Sequence, residues 1–455
     1  MTKPNRGKFT RCPYCVKSAA GCLWSSFRLL FWYNESMANT LDDKTAKCIR
    51  CGFCLDACPT FRLTGQETRG PRGRIYLVRS WRENVIPFDK DVVEALDTCL
   101  GCRACETACP SGVEYGVILE MARAHIEEAH LRPATQTFAR AQLLSTLTSP
   151  GKLVGSLKAA GLLGKLTGGK MPGFAAKMLS GSSDAAVSLP QPQGEVKVYE
   201  LPERSPATGT KRATVGILAG CVMRVLFGKT NEATVRVLQA NGCEVVTPKA
   251  AGCCGALHLH TGFHADSLTR MRALIDAFMP YLDELDAIIL NSAGCGSTMK
   301  EYGELLADDP AYRDKAKAFA AKVKDVTEFL AQIGLTPPTK PLNATVSYHD
   351  ACHLAHGQKV RLQPRQLLQQ IPGLKLVEMD EADTCCGSAG VYNITQPELA
   401  RQLLDRKIAN LKATGASIIA TGNPGCLAWI QQGAKEAGLN IRICHPVELL
   451  DEAYS

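Results

Sequence analysis

Two runs of four cysteines near the start of the chain carry its clearest chemical signal. Both have the spacing C-x2-C-x2-C-x3-C followed by proline, and they comprise Cys48, Cys51, Cys54 and Cys58, and Cys99, Cys102, Cys105 and Cys109. In this pattern three cysteines bind three corners of one four-iron cubane, and the fourth reaches across to a second cubane. Four thiolates also suit structural zinc, but two complete motifs, each closed by a proline, favour iron.

The spacing predicts two [4Fe–4S] clusters with crossed ligand sets. We expect the first cluster to be bound by Cys48, Cys51, Cys54 and Cys109. We expect the second cluster to be bound by Cys99, Cys102, Cys105 and Cys58. Gly52 and Gly101 lie inside the ligand loops, where the lack of a side chain lets backbone N–H groups approach the sulfurs.

Eight further cysteines form two matching sets later in the chain. Each set consists of a single cysteine, a Cys-Cys-Gly turn and another single cysteine, namely Cys221, Cys253, Cys254 and Cys295, and then Cys352, Cys385, Cys386 and Cys426. The order is the same in both sets, and so is the distance along the chain from the first cysteine to the last. This self-similarity predicts two homologous half-domains.

The sequence leaves open what these eight cysteines do. Each set is a candidate metal site that holds a further iron–sulfur cluster, a candidate zinc site, or a group of buried thiols with a structural or redox role. Four histidines lie near them in the sequence, at His258, His260, His349 and His353. We interpret each histidine as a helix cap or as a hydrogen-bonded core residue.

From residue 212 onward, short apolar strands alternate with helical patterns. Strands are predicted at Ala213–Gly220, Cys243–Thr247, Asp286–Leu290, Ala344–His349, Leu374–Val377 and Ser417–Thr421, and helices at Asn231–Ala240, Arg365–Gln370 and Pro397–Lys412. This alternation predicts α/β layers with largely parallel sheets. The four single cysteines each follow a predicted strand, and open α/β sheets gather ligands beyond the carboxyl ends of their strands.

The predicted fold class is α/β overall. A helical module of the bacterial two-cluster ferredoxin type is expected at residues 37–130, followed by two duplicated α/β half-domains built around the Cys-Cys-Gly turns at 212–335 and 336–455. Residues 131–211 are predicted to be a basic helical connector and an exposed linker. Residues 1–36 are an atypical basic extension.

Two segments keep more than one interpretation. For residues 1–36 these are a mis-assigned start codon with the true start at Met37, a membrane-surface or partner-binding arm, and an extra metal site on Cys12, Cys15 and Cys22. Residues 129–183 contain no acidic residue and seven lysines and arginines. Such a segment is typical either of a helix that lies on an anionic membrane or of a solvated helix that packs on its neighbours.

Composition excludes several classes of function. The chain has 455 residues and 21 cysteines, and the tight cysteine spacing favours metal ligation in a reducing compartment over disulfides. The net charge of +8 is concentrated in residues 1–36, so nucleic-acid binding is not expected. No apolar run of about 18 residues occurs, so no transmembrane segment is predicted. No G-x-G-x-x-G fingerprint occurs, so the chain is not expected to bind its own flavin or nicotinamide.

Several motifs together resemble one family, the iron–sulfur subunits of glycolate oxidase (glycolate dehydrogenase). The segments that carry the resemblance are Cys48–Cys54, Gly70–Leu77, Cys105–Val113, Ala251–Gly255, Lys300–Gly303 and Cys385–Gly390. The resemblance implies an electron-transfer subunit that is not catalytic alone. It implies FAD-containing dehydrogenase subunits as partners, and a quinone pool or membrane acceptor beyond them. It also implies a cytoplasmic protein, with the cytoplasmic face of the inner membrane as its candidate docking place.

Related chains keep two alternatives open. One is the iron–sulfur subunit of a glycerol-3-phosphate or lactate dehydrogenase, because the substrate would bind another chain. The other is a reductase related to heterodisulfide reductase. In that enzyme each cysteine set ends in C-x-x-C, whereas this chain has Thr298 and Trp429 where the final cysteines would stand. This departure counts against disulfide cleavage.

Overall fold

A computed structural model describes residues 40–167 and 195–455 of the chain. The interpretations of residues 1–36 lie outside the described residues. Among the helices of these described ranges, none combines the length and apolar character that crossing a membrane requires.

The N-terminal module is built from short helices around a small apolar core. Its helices are Pro59–Thr64, Pro71–Arg82, Lys90–Asp97, Ala104–Thr107 and Tyr115–Glu128, with a 3-10 turn at Glu67–Arg69. Two of them begin with proline, which suits the first helical turn because no N–H is needed there. Asp89 caps a third helix by accepting from the backbone N–H groups of Asp91 and Val92. Val78, Leu96 and Ile118 are buried in the core between these helices.

The connector packs on the rest of the molecule. It forms the helices Ala134–Leu147 and Pro150–Thr167. Leu144 and Leu153 are buried, and Leu153 belongs to a core that also includes residues of the second half-domain. Arg132, at the start of this segment, forms buried ion pairs with Asp97 and Glu127. These contacts favour the packing interpretation over a helix that lies on a membrane.

The predicted linker needs a correction. Arg204–Ser205 forms a short strand, β1, which pairs antiparallel with Cys243–Val246. Ser205 is buried by this pairing. A strand of two residues leaves no periodicity in the sequence. It forms because the edge of the neighbouring sheet offers unpaired backbone groups.

The first half-domain contains a five-stranded sheet. Its strands are β1, β2 (Ala213–Ile217), β3 (Cys243–Val246), β4 (Ala287–Leu290) and β5 (Val323–Asp325), in the order β1-β3-β2-β4-β5. All neighbours except β1 and β3 are parallel. Its helices are Met223–Leu226, Gly228–Ala240, Ala256–Thr261, His264–Phe278, Ala293–Lys300, Tyr302–Leu305, Arg313–Lys322 and Val326–Ile333, with a 3-10 turn at Met279–Tyr281.

The second half-domain repeats this plan with four parallel strands. They are β6 (Thr345–Tyr348), β7 (Lys375–Val377), β8 (Ile418–Ala420) and β9 (Arg442–Cys444), in the order β7-β6-β8-β9. Its helices are Gln363–Leu368, Tyr392–Thr395, Pro397–Ala413, Pro424–Glu436 and Pro446–Tyr454, with a π-helical turn at His353–Gly357.

The two sheets correspond strand by strand, because β3-β2-β4-β5 and β7-β6-β8-β9 have the same connectivity. The backbone agrees in detail. The N–H of Leu218 donates to the carbonyl of Ile289, and the N–H of His349 donates to the carbonyl of Ala420. Leu218 and His349 are therefore equivalent positions, since Leu218 directly follows β2 and His349 directly follows β6. The six predicted strands are present in shorter form, and β5 and β9 were not predicted.

The last helix of each half-domain packs on the other half. Val326–Ile333 packs against Gln363–Leu368, and Pro446–Tyr454 packs against Gly228–Ala240, where Arg236 pairs with Asp451. One apolar core accordingly contains residues from both sheets, including Val215 and Val346. This exchange fixes the two sheets relative to each other, so the carboxyl ends of β2, β4, β6 and β8 can contribute to one shared region.

Candidate metal centres

A first cavity in the N-terminal module is lined by Cys48, Cys51, Cys54 and Cys109. These are the four cysteines that the spacing groups into the first cluster. Cys51 is exposed, and the other three are partly buried. Cys105 also borders this cavity. The first set therefore lies at the surface of the module.

A second cavity lies deeper and is lined by Cys58, Cys99, Cys102 and Cys105. These are the four cysteines that the spacing groups into the second cluster, and all are buried. The two cavities share Cys105, Pro71 and Tyr115 in their walls. The structure thus brings each predicted ligand set together.

Hydrogen bonds to sulfur show that the second cavity suits thiolates. The backbone N–H of Gly101 donates to Sγ of Cys99 over 3.4 Å, and the hydroxyl of Tyr115 donates to the same sulfur over 3.6 Å. Burial would raise the pKa of the Cys99 thiol, but the charges of Arg74 and Arg123, together with the hydrogen bonds from Gly101 and Tyr115, lower it below its usual value. Four thiols around one cavity, with donors aimed at sulfur, fit the ligand requirement of a [4Fe–4S] cluster.

Arg74 is a buried cation that the sequence did not single out. It is 1% exposed. Its guanidinium donates to the carbonyl of Ala95 and to the hydroxyls of Thr60 and Thr98. Burial would lower its pKa, but the neighbouring Cys99, Tyr115 and Cys58 side chains hold the pKa above its usual value. Its place inside the segment Gly70–Leu77 was the available signal, although nothing in the spacing distinguished it from Arg72.

A third cavity of about 610 Å³ lies between the N-terminal module and the two half-domains. It is lined by cysteines of both later sets, namely Cys221, Cys253, Cys254, Cys295, Cys352, Cys385 and Cys426. It shares Cys99, Leu100 and Arg103 with the second cavity. Three cysteine-lined cavities therefore follow one another, from the surface at Cys51 to the centre of the molecule.

The Cys-Cys-Gly turns need glycine for a steric reason. Gly255 and Gly387 have φ angles of 79° and 92°, a left-handed conformation that residues with a side chain rarely adopt. A Cβ at Gly255 would lie 2.9 Å from the carbonyl oxygen of Ser267, and one at Gly387 would lie 2.7 Å from that of Ala400. The tight turn places each cysteine pair beside the carboxyl ends of the strands.

In the first half-domain the four thiols form a chain of contacts. Sγ of Cys221 and Sγ of Cys253 are 3.7 Å apart, and the backbone N–H of Gly255 donates to Sγ of Cys253 over 3.5 Å. Contacts with the thiols of Cys221 and Cys254 lower the pKa of Cys253 well below its usual value. Cys295 lies in the first turn of the helix Ala293–Lys300, where the helix dipole favours a thiolate.

The second half-domain repeats this chain and adds a histidine. Contacts with the thiols of Cys385 and Cys426 lower the pKa of Cys386, and Cys426 lies in the first turn of the helix Pro424–Glu436. A ring nitrogen of His349 and the sulfurs of Cys386 and Cys426 lie within 4.8 Å of one another. Cys386 is fully buried.

The histidines near these sets differ in their contacts. His260 pairs with Glu120, and His353 contacts the carbonyl of Gly101. Within the described ranges, the ring nitrogens of His349 and the Nδ1 of His258 have no nitrogen or oxygen partner, although the imidazole of His349 contacts the thiol of Cys386. The interpretation of His349 as a helix cap or a hydrogen-bonded core residue therefore stays a prediction. The spacing of His349 to Cys352 was a signal, but sequence alone does not give the direction of a side chain that follows a strand.

Comparison with known proteins agrees with this arrangement. Residues 44–113 match the model of a 4Fe-4S dicluster domain, and residues 215–300 and 346–431 each match that of a cysteine-rich domain. These matches confirm the predicted fold class, the duplication and iron–sulfur clusters as cofactors.

Three relatives illustrate the similarity along the chain. The probable glycolate oxidase iron-sulfur subunit of Bacillus subtilis is 37% identical over 92% of this chain and 96% of its own length. The glycolate oxidase iron-sulfur subunit of Escherichia coli is 34% identical over 89% and 93%. Lactate utilization protein A of Shouchella clausii is 28% identical over 52% of this chain and 98% of its own length. Only the first two of these three match nearly the whole chain.

Proposed function

Because the chain belongs to the family of glycolate oxidase iron–sulfur subunits, we propose that it is the electron-transfer subunit of a complex that oxidises glycolate to glyoxylate. We assign one [4Fe–4S] cluster to Cys48, Cys51, Cys54 and Cys109, and another to Cys99, Cys102, Cys105 and Cys58. When bound, such clusters supply reversible acceptance and release of single electrons. The electron-carrying unit corresponds to residues 37–130, and the half-domains correspond to 212–335 and 336–455.

The series of cavities is the observation that carries this proposal. The first cavity opens at the surface beside Cys51, and its wall is shared with the second cavity through Cys105, Pro71 and Tyr115. The second cavity is enclosed by buried cysteines. A protein that relays electrons needs redox sites in close succession, one of them near the surface, and the order of the cysteine-lined cavities supports this role.

The residues of the chain tune the second site. The N–H of Gly101 and the hydroxyl of Tyr115 donate to Cys99, and Arg74 places a buried positive charge beside the thiols. Hydrogen bonds to sulfur, nearby charge and burial are the means by which a protein adjusts a cluster's potential. The first site is more exposed, so solvent contributes more to its environment.

The dehydrogenation itself needs a partner. Oxidation of a 2-hydroxy acid removes a hydride, which flavins and nicotinamides accept, and the sequence carries no dinucleotide fingerprint. We therefore propose FAD-containing dehydrogenase subunits as electron donors to this chain and the quinone pool as the acceptor. A cytoplasmic location at the inner face of the membrane accompanies this proposal.

Reconstitution tests this function. The purified chain alone, free of flavin, should not oxidise glycolate with any artificial acceptor. Mixing it with its flavin-containing subunits should give glycolate-dependent quinone reduction. Cys102→Ser should slow quinone reduction while the partner's flavin is still reduced by glycolate, and Cys243→Ser, at a buried cysteine outside all four sets, should not. Turnover of glycolate by the isolated chain, or full quinone reduction by a chain without clusters, would contradict the proposal.

A further inference from the structure

The two half-domains differ at one buried position next to their cysteines. Leu218 follows β2 and His349 follows β6, and the backbone of each makes the same hydrogen bond to the neighbouring strand. Both residues are buried, at 3% and 0% exposure. An apolar side chain in one half is thus replaced by an imidazole in the other, although the cysteines around it are duplicated.

In the described part of the chain neither ring nitrogen of His349 has a nitrogen or oxygen partner, and the imidazole contacts the thiol of Cys386. A thiol is a weak hydrogen-bonding partner, so the buried imidazole is poorly satisfied, at a cost in stability. Leucine at this position, as in the first half-domain, would carry no such cost. A neutral imidazole nitrogen is among the commonest metal ligands in proteins, and coordination would satisfy it.

The donor atoms around His349 lie close enough together to converge on one ion. A ring nitrogen of His349 and the sulfurs of Cys386 and Cys426 lie within 4.8 Å of one another. Tetrahedral zinc binds nitrogen at about 2.0–2.1 Å and sulfur at about 2.3 Å, which places its ligands roughly 3.5 Å apart. Within residues 40–167 and 195–455 this is the one such group of three donors.

The other cysteine sets act as an internal comparison. The eight cysteines around the first two cavities do not form a three-donor group this tight, and neither do those of the first half-domain. Ligands of a four-iron cluster surround a core of several atoms and lie farther apart. The tight group at His349 therefore differs in kind from the predicted cluster sites.

We propose that the second half-domain binds a single zinc ion through His349, Cys386 and Cys426, and that the first half-domain lacks this site. Zinc favours tetrahedral sites of thiolate and imidazole, and where the protein supplies three ligands the fourth position is taken by water or another donor. This site is independent of the electron-transfer role. It makes the duplicated halves chemically unequal, with a redox-inactive ion in the second.

The residues around Cys426 favour a thiolate that could bind a cation. The side-chain amide of Asn423 donates to Sγ of Cys426 over 3.6 Å, and the start of the helix Pro424–Glu436 favours a negative charge there.

The test uses the full chain, reconstituted anaerobically with iron and sulfide and then incubated with zinc. Zinc and iron are measured in the same samples, zinc affinity by competition with a chelator, and the ligands of zinc by X-ray absorption. His349→Leu installs the residue of the first half-domain. His349→Cys replaces the nitrogen by a sulfur donor. His258→Leu is the matched control, because His258 is also a buried histidine with an unpartnered ring nitrogen.

We expect about one zinc per chain with an imidazole ligand. His349→Leu should lower zinc affinity by at least about tenfold, since even partners of metal ligands cost that much, while iron content is unchanged. His349→Cys should keep zinc and lose the imidazole signal, and His258→Leu should match the parent.

No zinc in the parent, or equal affinity in His349→Leu, would overturn the proposal. If His349→Leu fails to fold, an unchanged zinc absorption spectrum in His349→Cys would overturn it. If the reconstituted parent chain binds zinc but no iron, that result would count against the proposed electron-transfer function and not against the zinc site.

Discussion

Oε1 of Glu120 and Nδ1 of His260 lie 2.8 Å apart, across the boundary between the N-terminal module and the first half-domain. Burial raises the pKa of Glu120 to about 7, against the opposing charges of Arg103 and Arg123. Burial also lowers the pKa of His260 to about 3. Near neutral pH this contact therefore joins a carboxyl group close to its pKa and a neutral imidazole.

Glu120 should make stability fall as pH rises. Its pKa is higher in the folded chain than the ordinary 4.5, so the folded state binds more protons between about pH 4.5 and 7, and its contribution to stability is lost through that window. His260 acts in the opposite direction between about pH 3 and 6.5. The difference between Glu120→Gln and the parent isolates the carboxyl group.

We expect the free energy of unfolding of Glu120→Gln, relative to the parent, to increase by up to about 3 kcal/mol between pH 5 and pH 8. Urea unfolding at a series of pH values measures this difference. Glu398→Gln, at an exposed position, serves as the control and should follow the parent at every pH. A constant difference between Glu120→Gln and the parent across the range would contradict the assignment.

Cys51→Ser should affect one cluster and leave the other. Cys51 lines only the first cavity, so iron in the reconstituted chain should fall from about eight atoms toward about four, and the second cluster's electron paramagnetic resonance signal should persist. Cys243→Ser removes a buried thiol outside the cavities and should keep the iron content of the parent. Loss of both signals in Cys51→Ser, or zinc in place of iron throughout residues 41–130, would disprove the assignment.

Arg74→Met should lower the reduction potential of the second cluster. Its guanidinium is a buried positive charge beside Cys99 and Cys58, and a nearby positive charge favours the reduced, more negative state. The change also leaves the hydroxyls of Thr60 and Thr98 without this donor, which should cost about 1–3 kcal/mol of stability. Arg74→Lys retains the charge and should restore most of the potential. A redox titration followed by electron paramagnetic resonance measures the reduction potential of the second cluster in both variants. An equal potential in Arg74→Met and the parent would contradict the prediction.

The cysteine spacing predicted the candidate cluster ligands and the duplication, because metal binding restricts where cysteines stand in a sequence. Ligands of a cubane must sit at fixed intervals, so the two ligand sets could be grouped from Cys48 to Cys109 without any structure. The duplication was equally visible, because the second set of cysteines repeats the first. The strands that carry them followed from their apolar runs, as at Ala287–Leu290.

The features that could not be predicted from the sequence depend on packing between distant segments of the chain. β1 is only two residues long and has too few positions for an alternating pattern. β5 and β9 are as short as β8, but each includes at least one charged residue and so lacks the apolar run that marked β8. The exchange of the last helices between the halves rests on contacts such as Arg236 with Asp451, far apart in the chain. The side-chain direction of His349 depends on the twist and register of β6, which periodicity does not give.

We expect the proposed flavin-containing partner to bind at the surface around Ile49. This residue lines the first cavity next to exposed Cys51 and is itself 70% exposed, an apolar side chain at the point where the predicted redox site comes nearest to solvent. Ile49→Glu should place a charge in the interface and weaken complex formation by at least about tenfold, since truncations at interface centres commonly cost more than 1 kcal/mol and a buried unpaired charge costs more.

Val85 offers a matched control for this experiment. It is a β-branched aliphatic residue of the same module with 68% exposure, and it lines neither the first nor the second cavity. Val85→Glu should bind the flavin subunits like the parent, and both variants should keep the full iron content. Binding is measured by titrating the labelled chain with its flavin partners. Both substitutions replace a branched aliphatic residue by glutamate at different places, so equal weakening by both would indicate a general charge effect. Unchanged binding by Ile49→Glu would contradict a docking surface at the first cavity.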